Sequence, residues 1–93
     1  MRIKLTIEFN SDLNDIVNFI AKDKPIAARK FKNDLIKQLK KDLQNPFHFK
    51  NSIYFTDVVY RDYVFKGYTT VIKVDPEQEI VYVLGILKRR ESL

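Results

Sequence analysis

The 93 residues carry a net charge of +5 and 45% hydrophobic side chains, including seven Phe and five Tyr, with two Gly and no Cys. That apolar content excludes a disordered chain, the missing Cys excludes a disulfide scaffold, a thiolate zinc site and a cysteine nucleophile, and no apolar run reaches the about 18–20 residues of a membrane span. The charge is uneven: residues 22–50 hold nine Lys and Arg against three Asp, and Lys88-Arg89-Arg90 form a second basic knot, so a polyanion or an acidic protein is the expected partner.

The N-terminus alternates. Ile3, Leu5, Ile7 and Phe9 fall on one side of an expected strand, and Arg2, Lys4, Thr6 and Glu8 on the other. This pattern is not that of a signal peptide, and a cytoplasmic protein is expected. Asn10-Ser11-Asp12 offers a helix N-cap, with Asp12 and Asp15 in the first turn where the helix dipole favours negative charge. Leu13, Ile16, Val17, Phe19 and Ile20 then recur at helical spacing, which predicts a first helix from about Ser11 to Lys22. Pro25 suits the first turn of a second helix. Ala28, Phe31, Leu35, Leu39 and Leu43 make its apolar stripe, Arg29, Lys30, Lys37, Lys40 and Lys41 lie opposite, and Asn45-Pro46 ends it.

Beyond Phe47 the period changes to two. Val58 to Phe65 reads as a strand, Lys66-Gly67 as a tight turn, Tyr68 to Val74 as the next strand and Asp75-Pro76-Glu77-Gln78 as a turn. Ile80 to Leu87 is almost wholly apolar and is expected to be a central strand covered on both faces. The fold class is α+β in the order β-α-α-β-β-β: a helical hairpin packed on a mostly antiparallel four-stranded sheet, in one domain spanning residues 1–93.

Little in the chain offers catalysis. The lone His48 follows a helix stop in an expected loop, the acids show no metal-ligand spacing, and the two glycines lie too far apart to cradle a phosphate. No metal or cofactor is expected. Lys88, Arg89 and Arg90 follow a buried strand directly, so they leave a rigid sheet at a fixed place. With Arg61 on a neighbouring strand and Lys66 at the adjacent hairpin they form a candidate phosphate site. Tyr60, Tyr63, Tyr68 and Tyr82 interleave with these cations, as a nucleic-acid platform requires.

Three stretches complete the picture: Lys24-Pro25-Ile26-Ala27-Ala28-Arg29-Lys30-Phe31, Gly67-Tyr68-Thr69-Thr70-Val71-Ile72-Lys73-Val74-Asp75, and Ile80 to Arg90. Together with the element order they resemble the RelE/ParE superfamily of bacterial type II toxins, over nearly the whole chain. The resemblance implies a basic toxin held inactive by an acidic cognate antitoxin. It also implies one of two targets: RelE-like members cut messenger RNA on the ribosome, and ParE-like members poison DNA gyrase. Arg89 matches the nuclease arginine after the last strand, with Lys88 before it, while Arg61 and Lys66 stand in for the basic residues of the second strand. Catalytic candidates on the nuclease branch are therefore Arg61, Lys66 and Arg89, and target or phosphate contacts are Lys88, Arg89, Arg90, Arg61 and Tyr68. Thr69 stands where the nucleases commonly carry Arg, and no Tyr or His follows the basic knot in Glu91-Ser92-Leu93. The Pro-x-Ala-Ala opening of the second helix favours the gyrase-directed branch. The alternatives are the messenger endonuclease and a non-catalytic nucleic-acid-binding module.

Overall fold

The N-terminal alternation breaks after four residues. In the computed structural model, which describes residues 1–88 apart from the His48 side chain, Arg2–Leu5 form strand β1 and Ile7–Ala21 form helix α1. The expected strand to Phe9 and the expected N-cap at Asn10 to Asp12 are both corrected. The reason is Thr6. Its Oγ1 accepts from the Phe9 amide at 3.2 Å, capping the helix, and donates to the Val83 carbonyl at 2.8 Å, fixing that cap to the sheet. Phe9 is fully buried from its helical position, whereas Ile7 is 84% exposed and takes no part in the core.

The helical hairpin forms as the spacing predicts. Lys22 to Lys24 make the joint, and helix α2 runs Pro25–Asp42 with Pro25 in its first turn, where a missing N–H costs nothing. Ala28, Phe31, Leu35, Leu39 and Leu43 are buried, and Arg29, Lys30, Lys37, Lys40 and Lys41 are exposed. On α1 the buried residues are Phe9 and Leu13; Phe19, expected in the apolar stripe, is 67% exposed.

A 3-10 turn at Pro46–His48 leads to the remaining strands: β2 at Tyr60–Phe65, β3 at Tyr68–Asp75 and β4 at Ile80–Lys88. Lys66 and Gly67 both take positive φ, 48° and 83°, the combination that matches a two-residue hairpin to the twist of its strands. The sheet order is β1-β4-β3-β2, with β1 parallel to β4 and the other pairs antiparallel. β4 is thus interior, as its apolar run implies, but the expected cover on both faces is corrected. One hairpin covers one face: Val81, Val83 and Ile86 are buried beneath it, while Tyr82 is half-buried and Leu87 is 44% exposed on the other.

The core joins Phe9, Leu13, Phe31, Leu35, Leu39 and Leu43 from the helical side to Tyr63, Ile72, Val74, Val81, Val83 and Ile86 from the sheet. Ile3 and Leu5 pack against it from β1. Phe31 sits at one end, its ring 5.3 Å from that of Tyr68 and 5.9 Å from that of Phe65. Replacing Phe31 by Ala should cost about 3–5 kcal/mol, a large part of a typical stability of about 5–15 kcal/mol. Urea unfolding followed by circular dichroism measures it, and a loss below about 1 kcal/mol would contradict this packing.

Candidate functional site

Strand register decides which of the expected site residues meet. Tyr68 pairs with Phe65 on one side and Lys88 on the other, so the Lys66-Gly67 hairpin, Tyr68 and the end of β4 share one end of the sheet. Arg61 pairs with Ile72, four positions from Phe65 or about 13 Å along β2. The expected grouping of Arg61 with Lys66 and Lys88 does not form.

Arg61 is engaged elsewhere. Its Nε donates to the Val58 carbonyl at 2.8 Å, and its Nη1 donates to the carbonyls of Phe49 at 2.9 Å and Phe47 at 3.3 Å. The guanidinium also lies 4.9 Å from the centre of the Phe47 ring. It acts as a clamp on the segment between α2 and β2, which holds Ile53 and Val58 out in solvent. Lys50 to Ile53 run along the outer edge of β2, with Ser52 N donating to Tyr60 O and Asp62 N to Lys50 O, so half of that edge is already covered.

Lys66 reaches back to α2, its Nζ 3.7 Å from Asp34 Oδ2, an oxygen that Lys30 also approaches at 3.6 Å. These are half-exposed pairs of small energetic weight. Lys88 and Tyr68 face the helices. With Asp12, Asp15, Ile16, Phe19 and Ile86 they line a groove of about 400 Å³ between α1 and the ends of β3 and β4. Arg89 and Arg90 lie outside the described residues.

Asp12 and Asp15, expected in the first turn of α1, lie further along it, where Glu8 is the first-turn acid. Asp12 does not serve the start of α1; its Oδ2 crosses to the sheet and accepts from the Ile86 amide at 3.0 Å. Next to it β4 carries a bulge: Val83 pairs with Ile72 and Gly85 with Val71, leaving Leu84 as an extra residue. A glycine inside an otherwise apolar strand was the available signal, since such glycines mark bulges or close approaches.

The face away from the helices has its own pattern. Lys4, Tyr82, Lys73 and Tyr60 are register partners in one row across all four strands, with Lys4 6.0 Å from the Tyr82 ring centre and Lys73 5.9 Å from that of Tyr60. Phe55 stacks on Tyr60 at 4.2 Å. Nearer the Lys66 hairpin the row is Val64, Thr69 and Leu87. The expected interleaving of four tyrosines is therefore divided: Tyr60 and Tyr82 lie on this open face, Tyr68 under the helices and Tyr63 in the core. The Tyr63 hydroxyl donates to Asp42 Oδ2 at 2.7 Å. Burial raises the phenol above its ordinary value, and the bond to Asp42 and its negative charge add to that rise. Among the described residues no cluster of His, Asp or Glu is arranged to hold a metal ion, and no helix is long and apolar enough to cross a membrane.

A family model described as the ParE toxin of the type II toxin-antitoxin system parDE matches residues 3–93. The chain belongs to this family of toxins. Among solved structures it is similar to a chain of a chromosomal ParDE toxin-antitoxin system from P. aeruginosa, with a TM-score of 0.79, 18% identity and 97% of each chain covered. It is also similar to a chain of the RelBE2 toxin-antitoxin complex from Mycobacterium tuberculosis, with a TM-score of 0.60, 15% identity, and 95% of this chain and 90% of that one covered. At those identities the likeness is one of fold. No curated protein matches the chain.

Two outcomes follow from this geometry. Arg61→Lys removes the fork that holds three carbonyls together, which should cost about 1–3 kcal/mol and speed proteolysis between residues 47 and 58. Unchanged stability and cleavage would remove the clamp. For Tyr63, the folded state keeps its phenol proton to higher pH than the unfolded chain, which loses it near about pH 10. That contribution is complete below about pH 10 and is lost as pH rises beyond it, so stability falls more steeply from about pH 10 to 11 in the natural protein than in Tyr63→Phe. Denaturant titrations at each pH compare the two slopes.

Proposed function

We propose that this toxin arrests growth by ParE-type poisoning of DNA gyrase, and that an acidic antitoxin neutralises it. The observation that carries the choice of target is the row Val64–Thr69–Leu87. Nucleases of the superfamily commonly carry Arg at the position of Thr69. Here that position is buried, between Val64 at 52% and Leu87 at 44% exposure, and the row contains no cation. Cleavage of RNA needs positive charge fixed around the phosphate where charge develops. Arg61, the other candidate for that task, stands at the far end of β2 with its guanidinium on backbone carbonyls. The ParE description of the matching family supports the same branch.

In this reading Lys88 and Tyr68, with Arg89 and Arg90 next along the chain, touch the target. The antitoxin is an acidic segment with an apolar face. Its attraction comes from the Lys-rich outer side of α2, and its seat from the groove floored by Ile16, Phe19 and Ile86 and from the free edge of β1. Such a target places the toxin in the cytoplasm.

Inducing the protein alone, while mapping messenger ends at codons and assaying gyrase supercoiling and trapped DNA breaks, separates the branches. Growth arrest with gyrase inhibited and messengers intact is expected. Codon-phased cleavage with gyrase unaffected would establish the RelE-like endonuclease instead, and harmless expression would favour the nucleic-acid-binding module. Arg89→Ala should weaken growth arrest by at least about tenfold in the inducer needed, equivalent to losing one charge-assisted contact, without lowering the melting temperature. Full toxicity in that variant would remove the basic knot from the mechanism.

A further inference from the structure

The bulge at Leu84 changes which side chains of β4 face the helices. Before it, Val81 and Val83 point into the core; with strict alternation Gly85 and Leu87 would follow them. The extra residue reverses the alternation. Ile86 enters the core beside Thr70, and Lys88 pairs with Tyr68 on the helix side, while Leu87 passes to the open face. A single inserted residue thus decides on which surface Lys88 stands.

Nothing in the strands themselves holds that choice on the β1 side. β1 pairs with β4 only as far as Val83, and the backbone groups beyond that point have no strand beside them. The cap of α1 and a side chain of that helix supply the partners, the Thr6 amide donating to Val83 O at 3.2 Å. Thr6 Oγ1 lies 2.8 Å from Val83 O and 3.2 Å from Leu84 O, and the Asp12 carboxylate takes the Ile86 amide at 3.0 Å. Gly85 is what lets the carboxylate in: a Cβ there would stand 2.9 Å from Asp12 Oδ2, closer than real contacts allow.

We infer that Asp12 is a positioning residue, its carboxylate latching the β4 bulge and so keeping Lys88 on the helix-side surface. The latch is independent of the target; its effect on activity rests on the toxin reading given above, in which Lys88 makes a contact. Asp12→Ala removes the acceptor, Gly85→Ala displaces it while leaving the charge in place, and Asp12→Asn keeps an acceptor oxygen without the charge.

Amide hydrogen exchange by NMR reads the latch directly. Asp12→Ala and Gly85→Ala should each speed exchange at Ile86 by about tenfold relative to Val81 and Val83, the loss expected for one part-buried hydrogen bond, and Asp12→Asn should stay close to the natural protein. The same two variants should lose the Tyr68–Lys88 cross-strand proximity in nuclear Overhauser spectra and weaken growth arrest as Lys88→Ala does. Ile86 exchanging at its natural rate in both variants would overturn the inference. So would natural toxicity in a variant whose Ile86 amide has been freed when Lys88→Ala itself weakens growth arrest; full toxicity in Lys88→Ala would instead remove the Lys88 contact from the toxin reading. If Asp12→Ala fails to fold, Gly85→Ala carries the test alone. Should the natural protein leave gyrase untouched, the target assignment fails while the exchange and proximity measurements still decide the latch.

Discussion

β4 is nine residues long and its parallel neighbour β1 is four, and much of the molecule is arranged around that mismatch. A strand buried inside a sheet must find partners for its backbone on both sides, because an unpaired buried amide or carbonyl costs as much as a lost hydrogen bond. On the β3 side the antiparallel ladder runs to Lys88. On the β1 side the ladder stops at Val83, and the chain turns at Thr6 into α1. The helix therefore does two tasks at once. Phe9 and Leu13 fill the core beneath it, while the polar residues at Thr6 and Asp12 reach β4 where a strand would have lain. The Thr6 hydroxyl caps the helix and, with the Thr6 amide, holds the Val83 carbonyl, so α1 cannot slide without breaking its own cap.

The fold was largely legible because its elements use patterns with a single meaning. The α2 stripe at Ala28, Phe31, Leu35, Leu39 and Leu43 fits only a helix, and the Lys66-Gly67 and Asp75 to Gln78 turns separate strands that fit only a meander. The boundary between β1 and α1 was not legible, since Ile3, Leu5, Ile7 and Phe9 satisfy a period of two. What ends the strand at Leu5 is the partner of Thr6, located in β4 and invisible to local periodicity. The site fared worse for the same reason. Arg61 and Lys66 are five positions apart and were expected to meet, yet β2 sends Arg61 away along the strand to carbonyls of the preceding segment. Asp12 sat where a helix-start carboxylate is ordinary, and its bond to Ile86 spans 74 positions of sequence.

The two broad surfaces differ in physical character. The outer side of α2 presents Arg29, Lys30, Lys37, Lys40 and Lys41 to solvent, with Asp34 the acid that two lysines approach. The open sheet face presents alternating Lys and Tyr in one row and apolar side chains in another. Charge of the first kind acts over about 8–10 Å at ordinary salt and governs how fast an anionic partner arrives. Packing of the second kind acts only on contact and governs how long a partner stays.

The Gly85–Asp12 approach also limits what position 85 can hold. A Cβ at position 85 would stand 2.9 Å from the Asp12 carboxylate, so a larger residue there must push the carboxylate aside and loosen its bond to Ile86. The constraint runs one way: a side chain at 85 disturbs the residue at 12, whereas removing the carboxylate leaves Gly85 with room to spare.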